Sequence, residues 1–258
     1  MNTIKPERTP GWLNLPSLGL PLRMLFTGYL LVTGVGLMMA GVQILLTHGM
    51  ADGKLGISVN DIVYSYYGNR GSSRIESKLE GSMKDKASVD VRASIVQWVQ
   101  EGAPEDQWES KMKAKFEANC VKCHGNIPGL PNFSTYQGVL SVSKIDRGAT
   151  IDSLARVSHI HLFGISFIFL FVGFIFSFAV GIPRVIKSAV IFIPFAFLIV
   201  DVLSWWVTKW YPNFAIVTIV GGFGYTLASA FMLLTSLYQM WVMPMMGKRP
   251  DIDAWHDD

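Results

Sequence analysis

Cysteine is nearly absent from this chain of 258 residues, which carries two. That excludes a multi-bridge disulfide framework, a Cys-rich zinc site and any second use of a thiol pair. Charge is scarce as well: 16% of residues are charged against 50% hydrophobic, too apolar for an ordinary soluble enzyme. The sequence shows no internal repeat, no low-complexity tract and no P-loop. Gly34 and Gly36 sit inside an apolar run, where neither the strand nor the nucleotide of a glycine fingerprint is expected. The net charge of +3 is modest and its basic residues form no stripe, so nucleic acid is not an expected partner.

Long apolar runs, by contrast, are abundant. Four of them reach the roughly 20 residues needed to cross about 30 Å of hydrocarbon. They run from Met24 to Thr47, about His161 to Ile182, Ser188 to Val207 and Phe214 to about Val242. Buried helices of a soluble protein can be this apolar, but four in one short chain leave too little polar surface to cover them. The first run exceeds the roughly 7–15 residues of a signal-peptide core and no small-x-small cleavage site follows it, so it is expected to be a retained anchor.

Lys5, Arg8 and Arg23 precede the first span, Arg184 and Lys187 lie between the second and third, and Lys248 and Arg249 follow the fourth. Positive charge collects on the cytoplasmic side of a membrane. Both termini are therefore expected in the cytoplasm, with the long segment between the first two spans outside it. Trp205, Trp206, Trp210 and Tyr211 at one end of the third span, and Trp241 in the fourth, match interfacial aromatic belts.

Both cysteines lie in that outer segment, in Cys120-Val121-Lys122-Cys123-His124. C-x-x-C-H reads as a covalent haem c attachment site: two thioethers to the porphyrin edge, with His124 on the iron. A thioredoxin-like pair also uses C-x-x-C but does not call for the adjacent histidine. Trp108, Met112 and Phe116 recur every fourth residue up to Cys120, which predicts a helix with one core face. Asp90–Gln100 has the same periodicity, residues 72–84 should begin helically, and Asn126–Asn132, with two prolines, should be loop.

The segment resembles the small cytochrome c domains over about residues 80–145: a helix carrying Phe116 runs into C-V-K-C-H-G. The resemblance implies a membrane-anchored monohaem c-type cytochrome, and its one specific element is the attachment motif. It also implies a methionine downstream as second axial ligand, yet no methionine lies between His124 and Met232, which is deep in the fourth span. His159 and His161, where the chain enters the second span, are one pair of substitutes. Met83 is another, since Gly81-Ser82-Met83 followed by a helix with Ile95 and Trp98 resembles the methionine loop and closing helix in permuted order. His48, Met50, Met112 or an open site complete the options. Positions two apart point about 200° apart on a helix, so His159 and His161 cannot both face one neighbour.

Asp201 is the one carboxylate within an apolar span. Such groups face the protein interior and take a partner. Asp201, His48 and His161 are the residues expected to serve a quinol or a proton. No histidine pair within one span would hold a membrane haem, which leaves His48 with His161 for a second, non-covalent haem.

The expected fold is mainly α: a four-transmembrane-helix bundle with a small, mostly helical periplasmic haem c domain inserted between the first two spans. The expected divisions are 1–23, an anchor at 24–48, a cytochrome c-like domain at 49–158, spans at 159–243 and a tail at 244–258. The expected function is electron relay between a quinol-linked respiratory complex and a periplasmic cytochrome or other redox protein, as a subunit of that complex in a bacterial inner membrane. A stand-alone quinol–cytochrome c oxidoreductase and a haem-based sensor or assembly protein are the alternatives. No constellation for hydrolysis or group transfer accompanies the motif.

Overall fold

A computed structural model describes residues 13–49, 51–52, 56–125 and 127–255. Lys5, Arg8, Met50 and Asn126 lie outside the described residues. Among those described there is no β-strand, only one isolated bridge between Ser73 and Ile145.

Four helices are long and apolar enough to cross a membrane: α1 (Leu20–Thr47), α8 (Ile151–Ser177), α9 (Arg184–Thr208) and α10 (Ala215–Leu237), the last within a helical stretch from Pro212 to Met245. Only 6% of the apolar window of α1, and 28% of each of the others, is buried by protein. So much outward apolar surface would be untenable in water and is what lipid requires. The chain is a membrane protein. A wide π turn, Tyr238–Val242, interrupts the last stretch, and Pro194 lies inside α9, as membrane helices tolerate.

Several boundaries differ from those read in the sequence. Helix α1 begins at Leu20 rather than Met24, because Pro21 suits a first turn that needs no N–H partner. Helix α8 begins at Ile151 rather than near His161. Thr150 caps it, its hydroxyl accepting from Ser153 N at 3.1 Å and its carbonyl from Leu154 N at 2.9 Å. The polar residues of 152–159 thus extend the membrane helix instead of preceding it. At its other end α8 stops at Ser177, short of the expected Ile182, and the chain turns through Gly181, whose φ is +74°.

The backbone divides into two compact units. One comprises residues 1–42, 155–204 and 217–258, and the other 43–154 with 205–216. In the membrane unit, Leu30, Val172, Phe176, Met232 and Met240 form the fully buried centre. Helices α9 and α10 meet at Gly221 and Gly224. A Cβ on Gly221 would lie 2.9 Å from Asp201 Cα, and one on Gly224 would lie 2.6 Å from the Phe197 ring. Small residues permit this approach, as in other membrane helix pairs.

Asn14, the α8–α9 link and the tail after α10 gather at one end of this unit. Asn14 Nδ2 donates to Ile252 O at 2.8 Å, Leu15 N to Phe178 O at 2.9 Å, and Lys187 Nζ to Ala254 O at 2.9 Å. At the same end Arg23 donates to Leu18 O and lies 5.3 Å over the Trp241 ring.

The second unit holds α2 (Val59–Tyr66), α3 (Arg74–Glu80), α4 (Val89–Gln100), α5 (Lys113–Asn119), α6 (Val121–His124) and α7 (Tyr136–Ser143). Each of the first three starts on a serine. Ser58 with Asp61, and Ser73 with Glu76, are reciprocal capping boxes, and Ser88 caps α4. Accepting from the Ser73 N–H and from Gln100 holds the Glu76 carboxyl below its usual value despite partial burial. The core includes Ile95, Trp98, Trp108, Met112, Phe116, Phe133 and Val139. The period-four stripe is therefore a core face, reached through a π turn at Trp108–Met112.

Candidate haem attachment site

Phe116 is the anchor from which the motif is built. Its ring is 0% exposed, 5.5 Å from Trp108, 5.6 Å from Phe133 and 6.4 Å from Trp98, in edge and tilted contacts. Its carbonyl accepts the N–H of Cys120 at 2.8 Å. One turn then closes α6: Cys123 N and His124 N both donate to Cys120 O, at 3.1 and 2.8 Å. Positions three apart are neighbours on a helix, so both thiols emerge on one face. Cys120 is half-buried against the core cluster and Cys123 is exposed; neither is in a disulfide. Burial pushes the Cys120 thiol up from its ordinary value.

His124 is held at both sides of its ring. Nδ1 lies 3.2 Å from Pro131 O, and a carbonyl only accepts, so Nδ1 carries the proton and Nε2 presents its lone pair. The ring stacks on Phe133 at 4.4 Å and 13°. The loop returns to the motif through Phe133 N, which donates to His124 O at 2.7 Å. This is the outer-shell support a metal-bound imidazole needs: a set tautomer and a set ring plane. An iron porphyrin held through thioethers calls for two thiols on one face, such an imidazole, and an apolar wall. Cys120 and Cys123 supply the thiols and His124 the imidazole, with the buried Phe116 and Phe133 packed behind them; this donor set fits the group.

Pro131 and Phe133 were not singled out in the sequence. The loop prolines signalled only an irregular path, and that one carbonyl meets His124 is a matter of folding. Among the described residues, no group of three or more His, Cys, Asp or Glu is placed to hold a bare metal ion.

The other candidate residues fall in both units. His159 and His161 are at the ninth and eleventh positions of α8, within the helix rather than at its entry, for the capping reason given above. His159 is exposed and its ring lies 5.0 Å from Phe163; His161 Nδ1 donates to Val157 O at 2.9 Å, one turn back. Asp201 is 3% exposed in the membrane unit. Ser204, which donates to Asp201 O, also pairs with Thr218 of α10 at 2.6 Å.

His48 belongs to the other unit. Its Nδ1 meets Ser65 Oγ at 2.7 Å, and Ser65 donates to Asp61 O, so Nδ1 is the donor. The ring stacks on Tyr66, which stacks on Trp205 at 5.8 Å and 9°. Burial, then the Lys78 charge, pushes the His48 imidazole down, against a smaller opposing effect of Asp61. Met112 is buried in the core around the motif, and Met83, half-buried, packs against that core.

A family model matches residues 133–247. It describes a transmembrane helical domain. The match takes in α7 to α10 and agrees with the membrane-spanning character of α8, α9 and α10; it begins after Cys120–His124, so it carries no information on haem. No curated protein and no solved structure matches the chain.

Proposed function

We propose that this protein is a membrane-anchored monohaem cytochrome c that relays single electrons. The observation that carries the reading is the prepared imidazole: His124, next to the only two thiols, with Nδ1 bonded to Pro131 O and its ring stacked on Phe133. When bound, the haem would supply a one-electron Fe(III)/Fe(II) couple. Cys120 and Cys123 would tether it and His124 would ligate the iron, with the buried Phe116 cluster packed behind the motif. Nε2 would be the ligating nitrogen, since the Nδ1 proton is held by the Pro131 carbonyl.

Haem c attachment takes place outside the cytoplasm, and Arg23, Arg184, Lys187, Lys248 and Arg249 lie on the opposite side of a four-span topology. Periplasmic placement of the motif and cytoplasmic termini follow from both. Four helices exceed what tethering needs, and the outward apolar surface of the bundle suits partner subunits of a respiratory complex. Electrons would pass between that complex and a periplasmic cytochrome or other redox protein.

A second reading, a stand-alone quinol–cytochrome c oxidoreductase, rests on the buried carboxylate of Asp201. Stopped-flow mixing of reduced purified protein with an oxidised soluble c-type cytochrome tests the relay. One electron transferred per chain, at a rate that falls with salt, supports it, and no reoxidation rejects it. Quinol-dependent haem reduction by the isolated chain, lost in Asp201→Asn, would favour the second reading.

A further inference from the structure

We propose that Arg70, Arg147 and Lys209 form a binding site for the phosphate headgroup of an anionic phospholipid at the membrane surface. The site goes beyond the electron-relay reading and depends only on the membrane-spanning character of the chain.

Three separate segments of the second unit bring one cation each. Two of them, 65–72 and 146–149, run against each other: Ala149 N donates to Ser65 O at 2.9 Å and Asp146 N to Ser72 O at 3.0 Å. They cross at Gly68 and Gly148, with φ of +89° and +65°, where a Cβ on either would strike the backbone of the other. The third segment begins where α9 ends. Lys209, the residue after Thr208, sends its Nζ to Ala149 O at 2.6 Å and to Arg147 O at 3.0 Å. Its own carbonyl accepts from Arg70 Nη2 at 3.3 Å. The Arg70 guanidinium also lies 3.8 Å over the Tyr67 ring, so its charge is held in place.

The carboxylates of these segments and of the first turn of α8 are Asp146 and Asp152. Asp146 already accepts from Gly148 N at 2.9 Å and Asn69 N at 3.4 Å, and lies 4.0 Å from Arg74; Asp152 is exposed. The Arg147 side chain makes no hydrogen bond or ion pair among the described residues. Lys209 is only 9% exposed. Burial, then the Arg70 charge, push its ammonium down, with Asp146 opposing them. A phosphate would supply the negative charge that this group of cations lacks.

The cluster stands where hydrocarbon gives way to headgroups. The Lys209–Ala149 bond ties the residue after α9 to a residue two before α8, so the ends of two spanning helices meet at one level. Trp210 and Tyr211 follow directly, 62% and 65% exposed, as aromatic side chains of a headgroup belt are. A guanidinium pairs with phosphate through two parallel N–H donors, and basic pockets at the ends of spanning helices take lipid headgroups. A lipid phosphate is fixed at this depth, whereas a free phosphate is not.

The test is native mass spectrometry of the full-length protein, delipidated in a neutral detergent and titrated with phosphatidylglycerol or phosphatidylcholine. Wild type should bind phosphatidylglycerol in preference to phosphatidylcholine. Arg147→Gln removes the charge but leaves the carbonyl that Lys209 uses. It should weaken phosphatidylglycerol binding about fivefold, the effect of one cation at an anionic surface, and leave phosphatidylcholine unchanged. Arg147→Lys should recover most of that loss. Lys84→Gln, an exposed cation of the same unit outside the three segments, should match wild type. Equal affinity for the two lipids, or wild-type binding by Arg147→Gln, overturns the site. An equal loss in Lys84→Gln reduces the effect to net charge and overturns it too. Displacement of the lipid by inorganic phosphate at equal concentration assigns the cations to a free anion instead. None of these outcomes bears on the haem reading.

Discussion

Removing the Phe116 ring by Phe116→Ala should destabilise the motif-bearing unit by about 3–5 kcal/mol, the range for large aromatic truncations in a packed core. The upper half applies because the ring is fully buried and three of its neighbours, Trp98, Trp108 and Phe133, are rigid aromatics that cannot collapse into the space. A loss of about 4 kcal/mol raises the open population roughly a thousandfold. That is a large fraction of the roughly 5–15 kcal/mol that holds a typical domain together. Amide hydrogen exchange, read by mass spectrometry on peptides spanning 89–124 in the detergent-solubilised chain, measures that opening directly. Phe116→Leu should cost less, about 1–2 kcal/mol. Glu117→Ala, on the exposed side of the same helix, should stay within about 0.5 kcal/mol. Attached haem per chain should fall in the same order, since Phe116 O fixes the Cys120 backbone. A loss below about 1 kcal/mol in Phe116→Ala, or an equal loss in Glu117→Ala, would refute the claim that this cluster organises the site.

Other expectations are as direct. Gly224→Ala and Gly221→Ala should each destabilise the membrane unit by about 1–3 kcal/mol, because the added methyl meets the Phe197 ring or the Asp201 backbone. Gly222→Ala, whose nearest neighbour is the Tyr225 hydroxyl at 3.9 Å, should be close to neutral in the same thermal melts. In protein made without haem attachment, iodoacetamide should modify exposed Cys123 well before Cys120, whose burial keeps it a thiol; mass spectrometry of early time points reads the order. For His48, burial sets the folded value below the unfolded one, so the unfolded chain binds more protons in the window just below about pH 6.5. Stability of that unit should therefore fall as pH drops through the window, and His48→Gln should flatten the dependence of exchange rates on pH.

The spans were legible because some twenty apolar residues in a row have one main use, and α9 and α10 begin and end within a few residues of where hydropathy placed them. The start of α8 was not legible. Asp152, Arg156 and His159 lower the local hydropathy, while the Thr150 cap that begins the helix depends on a hydroxyl and a carbonyl that no hydropathy window registers. The period-four stripe gave the core face of Trp108, Met112 and Phe116, though not the π turn within it, since five residues cannot distinguish a helix from a slightly wider one. At the candidate site, spacing alone singled out Cys120, Cys123 and His124. Pro131 and Phe133 acquire meaning only when the loop folds back, because their part is played by a carbonyl and a ring face, which leave no motif. Asp201 stood out by its charge. Its neighbour Gly221 did not, because close helix approach is a property of two segments at once.

The central claim is that this chain carries one iron porphyrin bound covalently through Cys120 and Cys123. Intact-mass analysis of protein from membranes of a host able to attach haem c, paired with a pyridine haemochrome spectrum, measures it most directly. The account predicts a mass increase of a single haem, retained after acid–acetone extraction and absent from the Cys120→Ser, Cys123→Ser double variant. A chain at its unmodified mass, or porphyrin that extracts completely, would contradict it.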